Sequence, residues 1–212
     1  MNKTIAIFGA GEGISFEVAK KFIDEGFSVI LVSRKLDKLE KLRKQLKSKK
    51  VKLYAADLSD ENQFAKTLEL ILQENERIDV ILYNAARVKP GNVLEESFDD
   101  LVNDFKTNVT ALLPIVAKFK DRLFQTNGAL LVTGGGVGIN PNPEYASLSL
   151  GKAALRNLTQ TFAKTLSEEN IFVATVIING YVQRKNLIHN PKAIAKLFWG
   201  LYTDRSVNEI II

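Results

Sequence analysis

Residues 9–15 read Gly-Ala-Gly-Glu-Gly-Ile-Ser and directly follow the apolar run Thr4-Ile5-Ala6-Ile7-Phe8. Glycines at this spacing let a backbone turn tightly and approach a phosphate closely. The free N–H groups at a helix start then face the anion. Val18, Ala19, Phe22 and Ile23 recur at helical spacing just beyond, so the glycine turn lies between a strand and an amphipathic helix. The arrangement is that of a pyrophosphate cradle, with Gly9, Gly11, Glu12, Gly13 and Ile14 as the candidate contacts. Glu12 is the discordant residue, because its charge opposes the phosphates unless the side chain turns to water.

A second chemical position follows the apolar run at 28–32, where the chain continues Ser33-Arg34-Lys35 with no acid before Asp37. In dinucleotide-binding folds a carboxylate at this turn accepts the ribose 2′-OH of NAD, and an arginine accommodates the 2′-phosphate of NADP. Ser33 offers a hydroxyl donor, and Arg34 offers paired planar donors with a fixed charge. NADP(H) is therefore the expected cofactor in preference to NAD(H).

The elements that must hold these groups alternate along the chain. Strands are expected near 4–8, 28–32, 51–55, 78–83, 129–133, 171–178 and 208–212, and helices near 13–25, 35–47, 60–75, 97–125, 147–168 and 191–202. The strands are almost continuously apolar, which implies burial on both faces and a parallel sheet with right-handed crossovers. The expected fold is α/β, a Rossmann-type doubly wound sheet of about seven strands in one domain over 1–212. Pro114 should kink or split the helix predicted over 97–125. Ligands of such sheets bind beyond the carboxyl ends of the strands. The segments there are Gly9–Ser15, Ser33–Arg34, Asp57–Leu58, Asn84–Ala86, Gly134–Gly136 and Asn179–Val182.

Composition narrows the function classes. The chain has 212 residues, 46% hydrophobic and 25% charged, which suits a globular protein with a sizeable core. It has no cysteine and one histidine, which removes disulfides, thiol catalysis and the usual zinc ligands. No metal site is expected. No apolar run reaches about 18 residues and no leader pattern precedes the first strand, so a cytoplasmic protein without membrane contact is expected. The net charge is +5, and ten Lys and Arg residues fall between Arg34 and Lys52. Leu36, Leu39, Leu42 and Leu46 recur among them at helical spacing, and no aromatics are interleaved. The charges thus read as the wet face of one helix, and no nucleic-acid partner is expected.

These motifs together resemble the short-chain dehydrogenase/reductase family over nearly the whole chain. Gly9–Ser15 matches its glycine motif, with Ser15 in place of the last glycine. Asp57-Leu58 resembles its adenine-contacting pair. Tyr83-Asn84-Ala85-Ala86 resembles its Asn-Asn-Ala-Gly stretch, with Asn84 and Ala85 kept and Ala86 following. Asn108 resembles the helix asparagine that holds a water beside the catalytic lysine. Lys152-Ala153-Ala154-Leu155 resembles the helix carrying that lysine, and Gly180 and Val182 fall on the rim after the sixth strand. The resemblance implies nicotinamide–ribose binding by Lys152, a small-molecule substrate, and a homodimer or homotetramer paired through the 97–125 and 147–168 helices.

The catalytic part departs from that pattern. The family places a tyrosine four residues before its lysine, on the same helix face. Here Leu148 stands four before Lys152, and Ser149 stands four after Tyr145. The serine expected after the fifth strand falls on Gly135. A positioned acid contributes roughly 10²–10⁴ in rate, so another donor is needed. The candidate catalytic residues are Asn108, Lys152 and Tyr145. Tyr145 is roughly 10 Å from Lys152 along a continuous helix, unless the Pro141-Asn142-Pro143 loop folds it inward. Tyr181 and Thr133 are further hydroxyls near the rim, and His189 reads as a surface residue before a helix. Two functions remain open. One is an NADP(H)-dependent oxidoreductase acting on a carbonyl or alcohol with a non-standard catalytic group. The other is an NADP(H)-binding sensor without chemistry. Leu148, Leu150 and Ile139 suggest an apolar substrate pocket.

Overall fold

The computed structural model describes residues 2–212. Seven parallel strands form one sheet in the order β3-β2-β1-β4-β5-β6-β7. They are β1 (Thr4–Phe8), β2 (Ser28–Ser33), β3 (Val51–Ala55), β4 (Val80–Tyr83), β5 (Ala129–Gly135), β6 (Phe172–Ile178) and β7 (Glu209–Ile211). The helices are α1 (Ile14–Asp24), α2 (Leu36–Leu46), α3 (Glu61–Glu74), α4 (Phe98–Phe105), α5 (Leu112–Thr126), α6 (Ala146–Leu166) and α7 (Pro191–Asp204).

The period-two geometry of a strand sends alternate apolar residues to opposite faces. Ile5, Ile7, Val29 and Leu31 pack on one side with Val18 and Phe22 of α1, Leu39 of α2 and Phe198 of α7. Ala6, Phe8, Ile30 and Val32 pack on the other with Phe64 of α3, Ile115 and Phe119 of α5 and Leu155 of α6. Two cores sandwich the sheet, so all strand ends at one edge form a single rim. Strand order reverses between β1 and β4, and the glycine turn after β1 lies at that switch point. None of the described helices is long and apolar enough to cross a membrane.

Beyond shifts of a residue or two at element ends, two differences from the sequence reading bear on the site. β5 runs on to Gly135, because Gly134 and Gly135 stay in register with Ile177 and Ile178 of β6. The long helix over 97–125 breaks before Pro114, not at it. A π turn at Lys106–Thr110 separates α4 from α5, with the Ala111 N–H donating to the Lys106 carbonyl at 3.0 Å. Pro114 then falls in the first turn of α5, where a missing N–H costs nothing.

Candidate functional site

The glycine turn is shaped by two contacts. Gly9 has φ +85°, and a Cβ there would meet the Ala85 backbone at 2.4 Å, so β1 and the segment after β4 meet only through glycine. Ser15, buried at the start of α1, accepts the Gly11 N–H at 2.8 Å and donates to the Gly11 carbonyl at 3.1 Å. The residue that replaces the last glycine of the motif therefore staples the turn closed. Gly11 and Gly13 face open space, with nothing within 4 Å of a Cβ at either. A turn with a free outer surface, over a helix N-terminus, has the form an anion requires. Glu12 is exposed beside it.

Asn84 locks this turn to the next strands. Its Nδ2 donates to the Gly9 carbonyl at 3.0 Å, and its Oδ1 accepts the Thr133 hydroxyl at 2.9 Å. Thr133 is thus committed to β4, which weakens it as a free donor.

Three adjoining depressions run along the strand-end rim. The first is lined by Gly11, Glu12, Arg34, Lys35, Lys38 and Lys41, and is open and basic. The second is lined by Gly9, Ser33, Arg34, Asp57, Leu58 and Ala85, with Ala86 and Arg87 at its far wall. Burial raises the Asp57 carboxyl. Hydrogen bonds from the Ser59 hydroxyl (2.6 Å) and N–H (2.9 Å), with the charges of Arg34 and Arg87, outweigh that and hold it below its ordinary value. The third is a cavity of about 670 Å³ lined by Ile14, Tyr145, Leu148, Lys152, Gly180 and Val182. Asn84 and Ala86 belong to both the second and the third.

The rim thus brings together every candidate contact except two. Gly13 sits at the N-cap of α1, and Asn108 lies behind the cavity wall. Asn108 occupies the π turn and is fully buried. Its Oδ1 accepts the Arg87 N–H at 2.7 Å, and its Nδ2 has no hydrogen-bond partner among the described residues. Gly151 of α6 permits this approach, since a Cβ there would lie 2.8 Å from the Asn108 Cβ.

Lys152 is buried on the cavity-facing side of α6 and donates to the Thr133 carbonyl at 2.7 Å. Burial pulls its amine down to about 8. Leu148, one turn earlier, presents no hydroxyl. Tyr145 caps α6 instead of extending it, and its position next to a Gly91 bridge brings it to the cavity wall.

Sequence reasoning missed a buried polar cluster behind the site. The Asp104 carboxylate of α4 pairs with Arg87 Nε at 2.8 Å and accepts the Ser147 hydroxyl at 2.8 Å. No local signal marks it, because its members come from three separate segments. His189 stands just before α7, as read from the sequence, and is partly exposed, with its ring over Gly180, where a Cβ would meet Nδ1 at 2.3 Å.

Comparisons with known proteins bear on the fold and the family. Residues 3–190 match the family described as short chain dehydrogenase. The 3-oxoacyl-[acyl-carrier-protein] reductase FabG of Thermotoga maritima is 29% identical over 82% of this chain and 72% of its own. The NADPH-dependent reductase BacG of Bacillus subtilis is 25% identical over 96% of this chain and 85% of its own. An alcohol dehydrogenase from Thermococcus sibiricus, solved with 5-hydroxy-NADP, superposes with a TM-score of 0.85 at 21% identity, covering 99% of this chain and 96% of that one.

Proposed function

We propose, from the premise that this chain belongs to the short-chain dehydrogenase family, that it is an NADP(H)-dependent oxidoreductase. It would act on a carbonyl or alcohol group with a non-standard proton donor. The observation that carries the reading is the continuous rim from the basic depression at Arg34 to the cavity at Lys152.

Each part of the rim fits one part of the nucleotide. Ser33 and Arg34 take the 2′-phosphate, with Lys35, Lys38 and Lys41 adding positive potential. Asp57 and Leu58 flank the adenine. Gly9, Gly11, Glu12, Gly13 and Ile14 bring the α1 N-terminus to the pyrophosphate. Asn84, Ala85 and Ala86 form the floor, and Gly180 and Val182 the far lip. Lys152 holds the nicotinamide ribose. The nicotinamide supplies hydride chemistry when bound. On this reading the Tyr145 phenol, which lines the cavity, holds the proton exchanged with a substrate oxygen, and Asn108 positions α6 through the π turn. The NADPH dependence stated for BacG supports the cofactor preference. Leu150, expected in the substrate pocket, lies outside the cavity lining, and with Leu113 on α5 it offers exposed apolar surface for a dimer or tetramer.

The test is NADPH oxidation with a panel of aldehydes and ketones. Turnover that falls roughly 10²–10⁴-fold in Tyr145→Phe or Lys152→Ala supports the oxidoreductase reading. A second reading, an NADP(H)-binding sensor, is favoured by Leu148 and Gly135, which leave the cavity without the usual hydroxyls. Tight NADPH binding without turnover across the panel would decide for it.

A further inference from the structure

Arg87 follows the Asn84–Ala86 floor and lines the second depression together with Asp57, Leu58 and Thr107. On its inner side, Nε meets the buried Asp104 carboxylate at 2.8 Å. The contact is an ion pair without hydrogen-bond alignment, because Asp104 Oδ1 has no hydrogen-bond partner among the described residues. The hydrogen bond that Arg87 does donate comes from its backbone N–H, to Asn108 Oδ1 at 2.7 Å. A guanidinium carries five N–H donors in a rigid fork. The side chain is about a third exposed, so Asp104 fixes where it stands and leaves its terminal nitrogens to a ligand in the cleft. Its charge acts across the same depression. Burial raises the Asp57 carboxyl, and the Ser59 hydrogen bonds and the charges of Arg34 and Arg87 bring it below its ordinary value.

The two arginines stand at different points of the rim. Arg34 lines the first depression as well as the second. Arg87 lines only the second of these, next to Ala86, which the second depression shares with the Lys152 cavity. A cation between the 2′-phosphate end and the nicotinamide end stands at the middle of an extended dinucleotide, where the pyrophosphate lies. Gly9 and Ala10 of the glycine turn line the same depression. That turn, residues 9–15, holds one acid, Glu12, and no base. The helix N-terminus beneath it supplies only about half a positive charge. A planar, fixed cation adds what the turn lacks for an anion charged on each phosphate.

We propose that Arg87 binds the pyrophosphate of the dinucleotide through its terminal guanidinium nitrogens, with Asp104 holding the side chain in place. The proposal rests on the dinucleotide-binding reading above and adds a binding residue to it. Arg34 then selects NADPH through the 2′-phosphate, and Arg87 serves NADPH and NADH alike.

The test is a fluorescence titration with NADPH and with NADH on the wild type, Arg87→Met, Asp104→Asn and the double variant Arg87→Met, Asp104→Asn. Arg87→Met should weaken both nucleotides by the same factor, about 10- to 100-fold, the loss of a charge-assisted phosphate contact. Asp104→Asn breaks the ion pair, keeps the cation and can still accept the Ser147 hydroxyl. It should bind both nucleotides at least as tightly as the wild type. The double variant leaves no buried charge unpaired, so it carries the same test if Arg87→Met does not fold, and the same loss is expected. Wild-type affinity without Arg87 would overturn the proposal. A loss confined to NADPH would also overturn it, by placing Arg87 on the 2′-phosphate. So would an equal loss in Asp104→Asn, which would make the pair purely structural. Wild-type protein that binds neither nucleotide would sink the functional reading itself, whereas binding that survives removal of Arg87 would sink this proposal alone.

Discussion

Lys152 holds a positive charge where the protein opposes it, and that opposition has a measurable sign. The amine is pulled down to about 8 by burial, against about 10.4 for a solvated lysine. Between those values the unfolded chain holds the proton and the folded one does not, so stability rises with pH. The contribution is fully present above the unfolded value and is lost as pH falls through about 8. Lys152→Met removes the titration. Urea denaturation at pH 7 and pH 10 should therefore show the wild type gaining about 2.5 kcal/mol relative to this variant over that range. A constant difference would mean that the amine titrates like a solvated lysine. At this scale the sequence was informative where a residue type alone carries the chemistry. Gly9, Arg34 and Lys152 could be placed from their neighbours in the chain. The Ser15 staple and the Asn84 clamp could not, because their partners are set by how the turn closes.

The elements behind the cavity are held by one buried carboxylate. Asp104 of α4 reaches Arg87, just beyond β4, and Ser147 in the first turn of α6. Arg87 in turn donates its N–H to Asn108 in the π turn, so one cluster sets the spacing of α4, α6 and the loop after β4. Asp104 is buried but Arg87 is about a third exposed, so water can take up the guanidinium when its partner is removed. Asp104→Ala should therefore cost about 1–2 kcal/mol in chemical denaturation, mostly through its lost hydrogen bonds, and Ser147→Ala about 1 kcal/mol, for a single hydrogen bond. Equal, near-zero effects would show that the cluster does not hold these elements. Element existence was legible from periodicity, since every strand and helix named from the sequence is present. Their ends were less so. β4 begins at Val80, not near 78, because Asp79 turns its carboxylate to the Thr4 N–H and to Arg77. Pro114 correctly signalled a discontinuity, but a proline is tolerated in a first helical turn, so the break moved upstream to the π turn.

At the scale of the whole molecule, a doubly wound sheet collects segments distant in sequence onto one rim, and this explains why a short cleft contains most residues that the motifs singled out. The opposite surface of α5 and α6 is left with Leu113 and Leu150 about half exposed (47% and 50%). If copies pair there, sedimentation should show a dimer or tetramer for the wild type. The double substitution Leu113→Asp, Leu150→Asp should shift it to monomer with the fold retained by circular dichroism; an unchanged sedimentation coefficient would place any interface elsewhere. The central claim is that the rim binds NADP(H). Its most direct test is a fluorescence titration with NADPH and NADH on the wild type and on Arg34→Ala. The account predicts tighter binding of NADPH than of NADH. It predicts that Arg34→Ala weakens NADPH about 10- to 100-fold, the loss of a charge-assisted phosphate contact, and barely changes NADH. Equal affinity for the two nucleotides, unaffected by the substitution, would contradict the cofactor assignment, and no binding of either would contradict the functional reading as a whole.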